Sequence, residues 1–454
     1  MMENKKTVRG VPYGSDTLPI LAEADVVVCG AGPGGLGAAV AAAWCGAKVL
    51  VIEEYGVAGG MAAVGEVHPF MPSCHGNEPL DFPVYGQWIT AMEKYLPESI
   101  VKQNGNQPLY SNRSINKEAA ALAAEDLLLE AGVKILYHHS AAGVEKDAAG
   151  NISAVICHTR CGFGKVKGKT FVDCTGDGHL AAMADCPFEQ GDERGGCQPM
   201  TLCFKLSHVN IPFVEDAEHG RISDPAWRAR LNESFTAAKK SGRINSPRHN
   251  ILVFTTKAAD DNTLHFNMTR VIGLDATCGA DLSAAEIEGR RQMREIIAWL
   301  KEDHPEFADA RIMSMAVQIG IRESRRITGL YQLVLDDYKA CRRFPDAIAR
   351  CAYMVDIHSP WGGGTDYIHL PPDEFYEIPY RCVVPVSKIN LTVGGRPVSA
   401  DVAVHSSLRI MPTAISIGQG AGIGAALAAL RNTTPDKING IEVRELLNKF
   451  GARL

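Results

Sequence analysis

Asp25-Val-Val-Val-Cys29-Gly30-Ala-Gly32-Pro33-Gly34-Gly35-Leu36 decides how this chain is read. Asp25 to Cys29 is a short apolar run of the kind that forms a fully buried parallel strand. It leads into Gly30, Gly32 and Gly35, which occupy the three spaced positions of a dinucleotide-binding turn, with Pro33 and Gly34 between them. Gly30 permits the tight turn, Gly32 brings backbone up to a pyrophosphate, and Gly35 lets the next helix lie close on its strand. That helix, Leu36 to Cys45, is nearly all small side chains and stops at Gly46. Lys48 to Ile52 reads as the second strand, with Glu53 at its tip, where a carboxylate accepts hydrogen bonds from a ribose diol.

The turn does not separate a nicotinamide from a flavin dinucleotide, since both present the same pyrophosphate to a helix N-terminus. The following residues favour flavin. Glu54 leads to Gly59-Gly60-Met61, a glycine pair that lets backbone run along a long buried cofactor. Farther on, Phe171-Val-Asp-Cys-Thr175-Gly176-Asp177-Gly178 repeats the pattern of apolar strand into glycines, either a third strand returning to the cofactor or an ordinary strand-to-turn connection.

At 454 residues the chain suggests two domains, interleaved. The 46% hydrophobic and 22% charged residues are ordinary for a globular protein, and the net charge of −6 has no basic block behind it, which speaks against nucleic acid or an anionic membrane as partner. The polar N-terminus and the lack of a long uninterrupted apolar run point to a cytoplasmic protein with no membrane span. Thirteen cysteines, none spaced C-x-x-C, read as reduced thiols, so no metal site is expected.

Lys5 to Glu23 reads as an irregular lead-in with one strand near Leu18 to Leu21. The stretch from Met61 to Gly76 is turn-rich and carries His68 and His75. Helices are expected over Val84 to Tyr95 and Asn116 to Ala131. Short strands over Val133 to Val172 form an antiparallel meander inserted before Thr175. Longer charged helices, Ala284 to Glu302 and Ile321 to Asp337, mark a second domain. The boundaries are thus 1–185 for the first part of a nucleotide-binding domain, 186–345 for a substrate domain, and 346–454 for the returning part.

These segments together resemble the bacterial FAD-dependent oxidoreductase family. The matching stretches are the Gly30 to Gly35 turn with Glu53, Gly59-Gly60-Met61, Val172 to Asp177, Gln198-Pro-Met200, Gly320 to Arg326, Asp356-Ile-His358, Ile378 to Arg381, Asn390 to Arg396 and Leu408 to Thr413. The resemblance implies an α/β chain with a Rossmann-like, glutathione-reductase-type FAD-binding domain, an inserted β-meander and a smaller α+β substrate domain. It also implies FAD in extended form, its adenosine half on Gly30 to Glu53 and its ring near the domain boundary. Glu54, Thr175, Gly176, Asp177, Arg396, Arg409, Met411 and Thr413 join the cofactor contacts on this reading.

A flavin brings its own redox chemistry, and the protein supplies position, charge and proton handling. The helix starting near Met411, with Pro412 in its first turn, would offer backbone donors and a favourable dipole to developing flavin charge. Gly418-Gln-Gly420-Ala-Gly422 lacks a preceding strand and a following acid, and so reads as small-residue helix packing. Oxidising an alcohol or amine releases a proton along with the hydride, and histidine is the usual acceptor near neutral pH. His405 is the first candidate, then His358, His68 and His75, each set against a purely structural role. Arg322, Arg325 and Arg326 would share one helix face and hold either an anionic substrate, a flavin oxygen or an ion-pair network with Glu323. Arg381 and Arg409 carry the same ambiguity.

The expected function is hydride transfer between flavin and a small polar metabolite of sugar, glycoside or hydroxy-acid type. The alternatives are an NAD(P)H-linked flavoprotein passing electrons to a protein or quinone, and a flavin-binding subunit without catalysis. A homo-oligomer is possible on this reading.

Overall fold

In the computed structural model, residues 17–71, 73–76, 78–98, 115–216, 220–255 and 262–454 are described. The part of the expected lead-in that precedes residue 17 lies outside them. The first sheet and its helices comprise β1 (Ile20–Cys29), α1 (Pro33–Trp44), β2 (Val49–Glu53), α2 (Val84–Glu93), α3 (Lys117–Glu130), β3 (Lys134–Tyr137), β4 (Ser140–Lys146), β5 (Ile152–Thr159) and β6 (Gly162–Asp173). The second unit comprises β7 (Phe204–Ser207), α4 (Pro225–Lys240), β8 (Val253–Thr255), β9 (Leu264–Phe266), α5 (Gly279–Asp303) and β10 (Arg311–Met315). The chain then returns through β11 (Leu391–Val393), α6 (Val402–Leu408) and α7 (Met411–Leu430).

β1 pairs in parallel with β2 and β6, Val26 lying opposite Val49 and Thr170. β3 continues the parallel sheet beyond β2, and β11 joins it beside the inner half of β6. Val26 and Val28 face one core with α1 and α7, while Val27 and Cys29 face a second core, which is why the run is apolar without alternation. The outer half of β6 pairs antiparallel with β5, and β5 with β4. The meander is therefore not a separate insertion ahead of the third parallel strand. Its last strand and that parallel strand are one continuous β6.

Helices α1 and α7 meet through glycine. A Cβ on Gly37 would lie 2.2 Å from the Ile415 carbonyl oxygen, and one on Gly422 would lie 2.1 Å from that of Ala38. The Gly418 to Gly422 run is thus helix packing. α7 is long and apolar enough to cross a membrane, but 94% of its apolar window is buried in the protein, as suits a core helix.

The second unit is an antiparallel sheet in the order β8-β9-β7-β10. Its own core holds Trp227 of α4, Trp299 of α5 and the stacked rings of Phe204 and Phe266, 4.8 Å apart. That core spans Met200 to Ile321, whereas Leu333, Tyr338 and Phe344 pack into the first core.

The helix expected over Ile321 to Asp337 does not form. Arg325–Ile327 is a strand paired with Phe188–Gln190, and only Leu335–Lys339 is helical. The backbone groups of this run are taken by other segments: Ile327 N–H donates to Pro397, Thr328 to Pro187 and Leu330 to Val384. Tertiary pairing overrides a weak local helix preference.

Asp81 is fully buried and accepts a hydrogen bond from Ser416 Oγ at 2.7 Å. Burial pushes its carboxyl up to about 7, against the hydrogen bonds from Ser416 and Ser73. Because the folded pKa lies above the unfolded one, the folded state loses stability as pH rises from about 4 through 7. Asp81→Asn keeps the shape and removes the charge. We expect it to raise Tm at pH 8 by a few degrees, about 2 kcal/mol, and by less at pH 5; thermal melts at both values check this.

Candidate functional site

A cavity of about 500 Å³ runs from the β1–α1 turn into the second unit. Gly30, Gly32, Pro33 and Gly34 form its wall at one end. A Cβ on Gly32 would meet nothing closer than Gly60 Cα at 3.6 Å, so the space in front of it is open. Gly35 stands behind the wall, where a Cβ would lie 1.9 Å from the Gly30 carbonyl oxygen, so it serves the close strand-to-helix approach. The first-turn N–H groups of α1 have no partners within the helix, and Pro33 begins it. This end of the cavity is built for an anion.

Glu53 is also in the wall. Its Oε2 accepts the Ala31 N–H at 2.7 Å and its Oε1 the Tyr55 N–H at 2.9 Å, so it braces the glycine turn. Burial pushes its carboxyl up to about 7 despite those two hydrogen bonds. Glu54, Gly60 and Met61 continue the wall, as do Thr175, Gly176 and Asp177 beyond the end of β6. Asp173 accepts from Thr175 N–H and Oγ and fixes that turn. Asp177 Oδ1 takes Arg396 Nη2 at 2.6 Å and Ser324 Oγ at 2.6 Å, which sets Arg396 in the wall. Met411 and Ala414 bring the N-terminus of α7 to the cavity, while the Thr413 side chain lies behind it.

The far end is polar and cationic. Arg322 and Arg409 meet Arg248 and Arg270 from the second unit there, together with Asp356 and His358 on the strand Val355–His358. Asp356 lies 3.4 Å from His358 Nε2 and 3.6 Å from Arg409 Nη2. Burial acts upward on the Asp356 carboxyl, but the His358 hydrogen bond and the Arg409 and Arg322 charges outweigh it and hold it well below the carboxylate range. Burial, then the Arg322 charge, lower His358 to about 3, so its imidazole is neutral. Its Nδ1 accepts from Thr365 Oγ at 3.1 Å, which leaves the Nε2–H toward Asp356.

The remaining candidates lie elsewhere. His405, on α6, is fully buried and absent from the wall; burial, then Arg326, Arg396 and Arg409, push its pKa far down. It is a core histidine, not a group facing substrate. Arg381 stacks on Tyr331 and pairs with Asp346 at 2.9 Å, away from the cavity. His68 is in the wall, but its Nε2 is held by the Ala62 carbonyl at 2.8 Å. His75 is exposed beside Phe375. Arg322, Arg325 and Arg326 do not share a helix face. Arg326 forms the structural pair with Glu323, Arg325 donates to the Asp177 carbonyl, and only Arg322 enters the cavity.

No curated protein matches the sequence significantly. Among solved structures, the chain resembles a flavin-dependent brominase, Bmp2, at 13% identity and a TM-score of 0.45, covering 94% of this chain and 83% of that one. It also resembles a geranylgeranyl bacteriochlorophyll reductase-like protein from Thermoplasma acidophilum, at 13% identity, 94% and 84% coverage and a TM-score of 0.41. A third is the p-nitrophenol 4-monooxygenase PnpA from Pseudomonas putida DLL-E4, at 11% identity, 95% and 80% coverage and a TM-score of 0.40. A family model described as FAD dependent oxidoreductase matches residues 25–447, nearly the whole length. With the glycine turn, the parallel sheet and the long cavity in place, the chain belongs to the family of FAD-dependent oxidoreductases.

Proposed function

We propose that this FAD-dependent oxidoreductase moves a hydride between a small polar metabolite, of sugar, glycoside or hydroxy-acid type, and the flavin. One observation supports the reading above others: a single cavity joins the glycine cradle to a polar end lined by arginines and His358. The residues present fit FAD, since Gly32 leaves the space for a pyrophosphate open and Glu53 stands beside it. When bound, FAD supplies the two-electron chemistry.

The chain's own part is holding and proton handling. The first turn of α1 and Gly32 would hold the pyrophosphate, Glu53 the adenosine ribose, and the N-terminus of α7 the charged edge of the ring. Oxidation of an alcohol removes hydride from carbon and a proton from oxygen as the carbonyl forms. His358 is the histidine that the polar end offers to that proton: Asp356 orients its Nε2–H, and the proton would arrive at Nδ1 as the Thr365 hydroxyl turns from donor to acceptor.

Anaerobic mixing with hydroxy acids and polyols should bleach the bound flavin near 450 nm. Rapid bleaching by NADH or NADPH, with none by any metabolite, would instead establish the electron-transfer alternative. In His358→Gln we expect retained FAD, flavin reduction slowed about a hundredfold and an altered pH–rate profile. An unchanged profile would assign the proton to another group.

A further inference from the structure

We infer that the cationic end of the cavity is an oxyanion clamp, and that the substrate carries a carboxylate or phosphate group seated between Arg248 and Arg322. The inference rests on the hydride-transfer reading and narrows its substrate class.

Four guanidinium groups, Arg248, Arg270, Arg322 and Arg409, line one end of one cavity. Among the described residues, the acidic side chains close to them are Asp356, held by His358 and Arg409, and Glu323, which is paired with Arg326. The four do not have equal duties. Arg270 spends Nη2 on the loop that follows the His358 strand, donating to the Ser359 carbonyl at 3.1 Å and the Gly364 carbonyl at 2.7 Å, and its Nη1 faces His358 Nδ1 at 3.4 Å. Arg409 Nη2 donates to the Asp356 carbonyl at 3.2 Å and faces its carboxylate. These two build the site.

Arg248 and Arg322 are different. Arg248 is only 6% exposed, and its Nε donates to the Asn250 carbonyl at 3.1 Å. Neither of its Nη atoms has a hydrogen bond or ion pair to the described residues. Arg322 uses Nη1 on the Pro199 carbonyl, at 2.7 Å, and on Thr201 Oγ, leaving Nε and Nη2 free. Burial, then the charges of Arg409 and Arg248, lower Arg322 to about 9, and burial, then the Arg270 charge, lower Arg248 to about 10. A buried Arg248 and a half-buried Arg322 in one cavity, neither paired with a carboxylate, are costly unless something anionic joins them, and their planar forks match an oxyanion bidentately. Asp356 offsets part of that charge, and a neutral sugar would leave the rest uncompensated.

An anion between them would also offset the Arg322 charge that, after burial, holds His358 low. A substrate with an oxyanion would thereby make His358 a better proton acceptor on binding.

The test uses the FAD-loaded protein and three probes, D-gluconate, D-glucose 6-phosphate and D-glucose. The readouts are perturbation of the flavin absorbance and calorimetric binding. We expect one or both anions to bind at least tenfold tighter than glucose, gluconate alone indicating a carboxylate and glucose 6-phosphate alone a phosphate. Arg248→Gln and Arg322→Gln should each weaken that anion by about tenfold to a hundredfold while glucose is unaffected. Arg248→Lys should restore part of the loss, and FAD content should not change in Arg248→Gln. Equal binding of glucose and the anions, no binding of either anion, or loss of FAD from Arg248→Gln would each overturn the clamp. Anion binding without flavin reduction by any metabolite would keep the clamp and sink the hydride-transfer reading. Bleaching by glucose without anion binding would do the reverse.

Discussion

Gly418→Ala is expected to yield protein that is insoluble or that melts far below the wild type and holds no FAD. The added Cβ would sit 2.1 Å from the Gly34 carbonyl oxygen and 3.1 Å from Gly34 Cα, and Gly34 is in the wall of the cavity. The clash is with backbone, so no side chain can rotate aside. Either α7 backs off from α1 and opens the core between them, or the turn deforms where a pyrophosphate would lie. Overpacking of a core commonly costs about 1–3 kcal/mol, and contact with an immobile backbone belongs at or beyond the top of that range. Gly279→Ala is the control, because a Cβ there meets nothing within 4 Å at the start of α5. It should melt at or slightly above the wild-type temperature. Equal behaviour of the two variants in a thermal-shift assay would show that the α1–α7 contact is not limiting.

Glu53→Ala is the second large effect. Two losses add. The carboxylate no longer receives a ribose, and the N–H groups of Ala31 and Tyr55 lose the acceptor that fixes the turn. An unsatisfied buried donor costs about 1–3 kcal/mol, as does a lost charge-assisted hydrogen bond, so FAD affinity should fall by a hundredfold or more. Glu53→Gln, able to accept through one oxygen only, should lie between. The raised pKa adds a direction: the ionised form is the better acceptor, so FAD retention by the wild type should weaken as pH falls below about 7. Fluorescence of released FAD, followed against pH, measures both.

What could be read from the sequence, and what could not, divides along a physical line. The Gly30 to Glu53 unit was legible because its determinants are local: apolar strand, spaced glycines, small-residue helix and acid are contiguous, and each constrains its neighbour. The packing role of Gly418 to Gly422 was legible for the same reason, since small residues at helical spacing imply close helix contact whatever the partner. The polar end was only half legible. Arg322 and His358 were candidates, but Arg248 and Arg270 reach the cavity from loops flanking β8 and β9, and nothing in their local sequence marks them. His405 was misplaced because its neighbourhood in sequence is the start of α7, which reaches the cavity, whereas α6 turns it into the core. The run from Ile321 to Asp337 was misread because its charges fall at helical spacing, while its backbone pairs with Pro187, Val384 and Pro397, segments far away in the chain.

The most direct measurement is a density map of the protein crystallised with FAD. The account predicts the pyrophosphate against Gly32 and the first turn of α1, the adenosine ribose at Glu53, and the ring lying between the start of α7 and the arginine end. FAD bound at another surface, or side chains filling the space before Gly32, would contradict it.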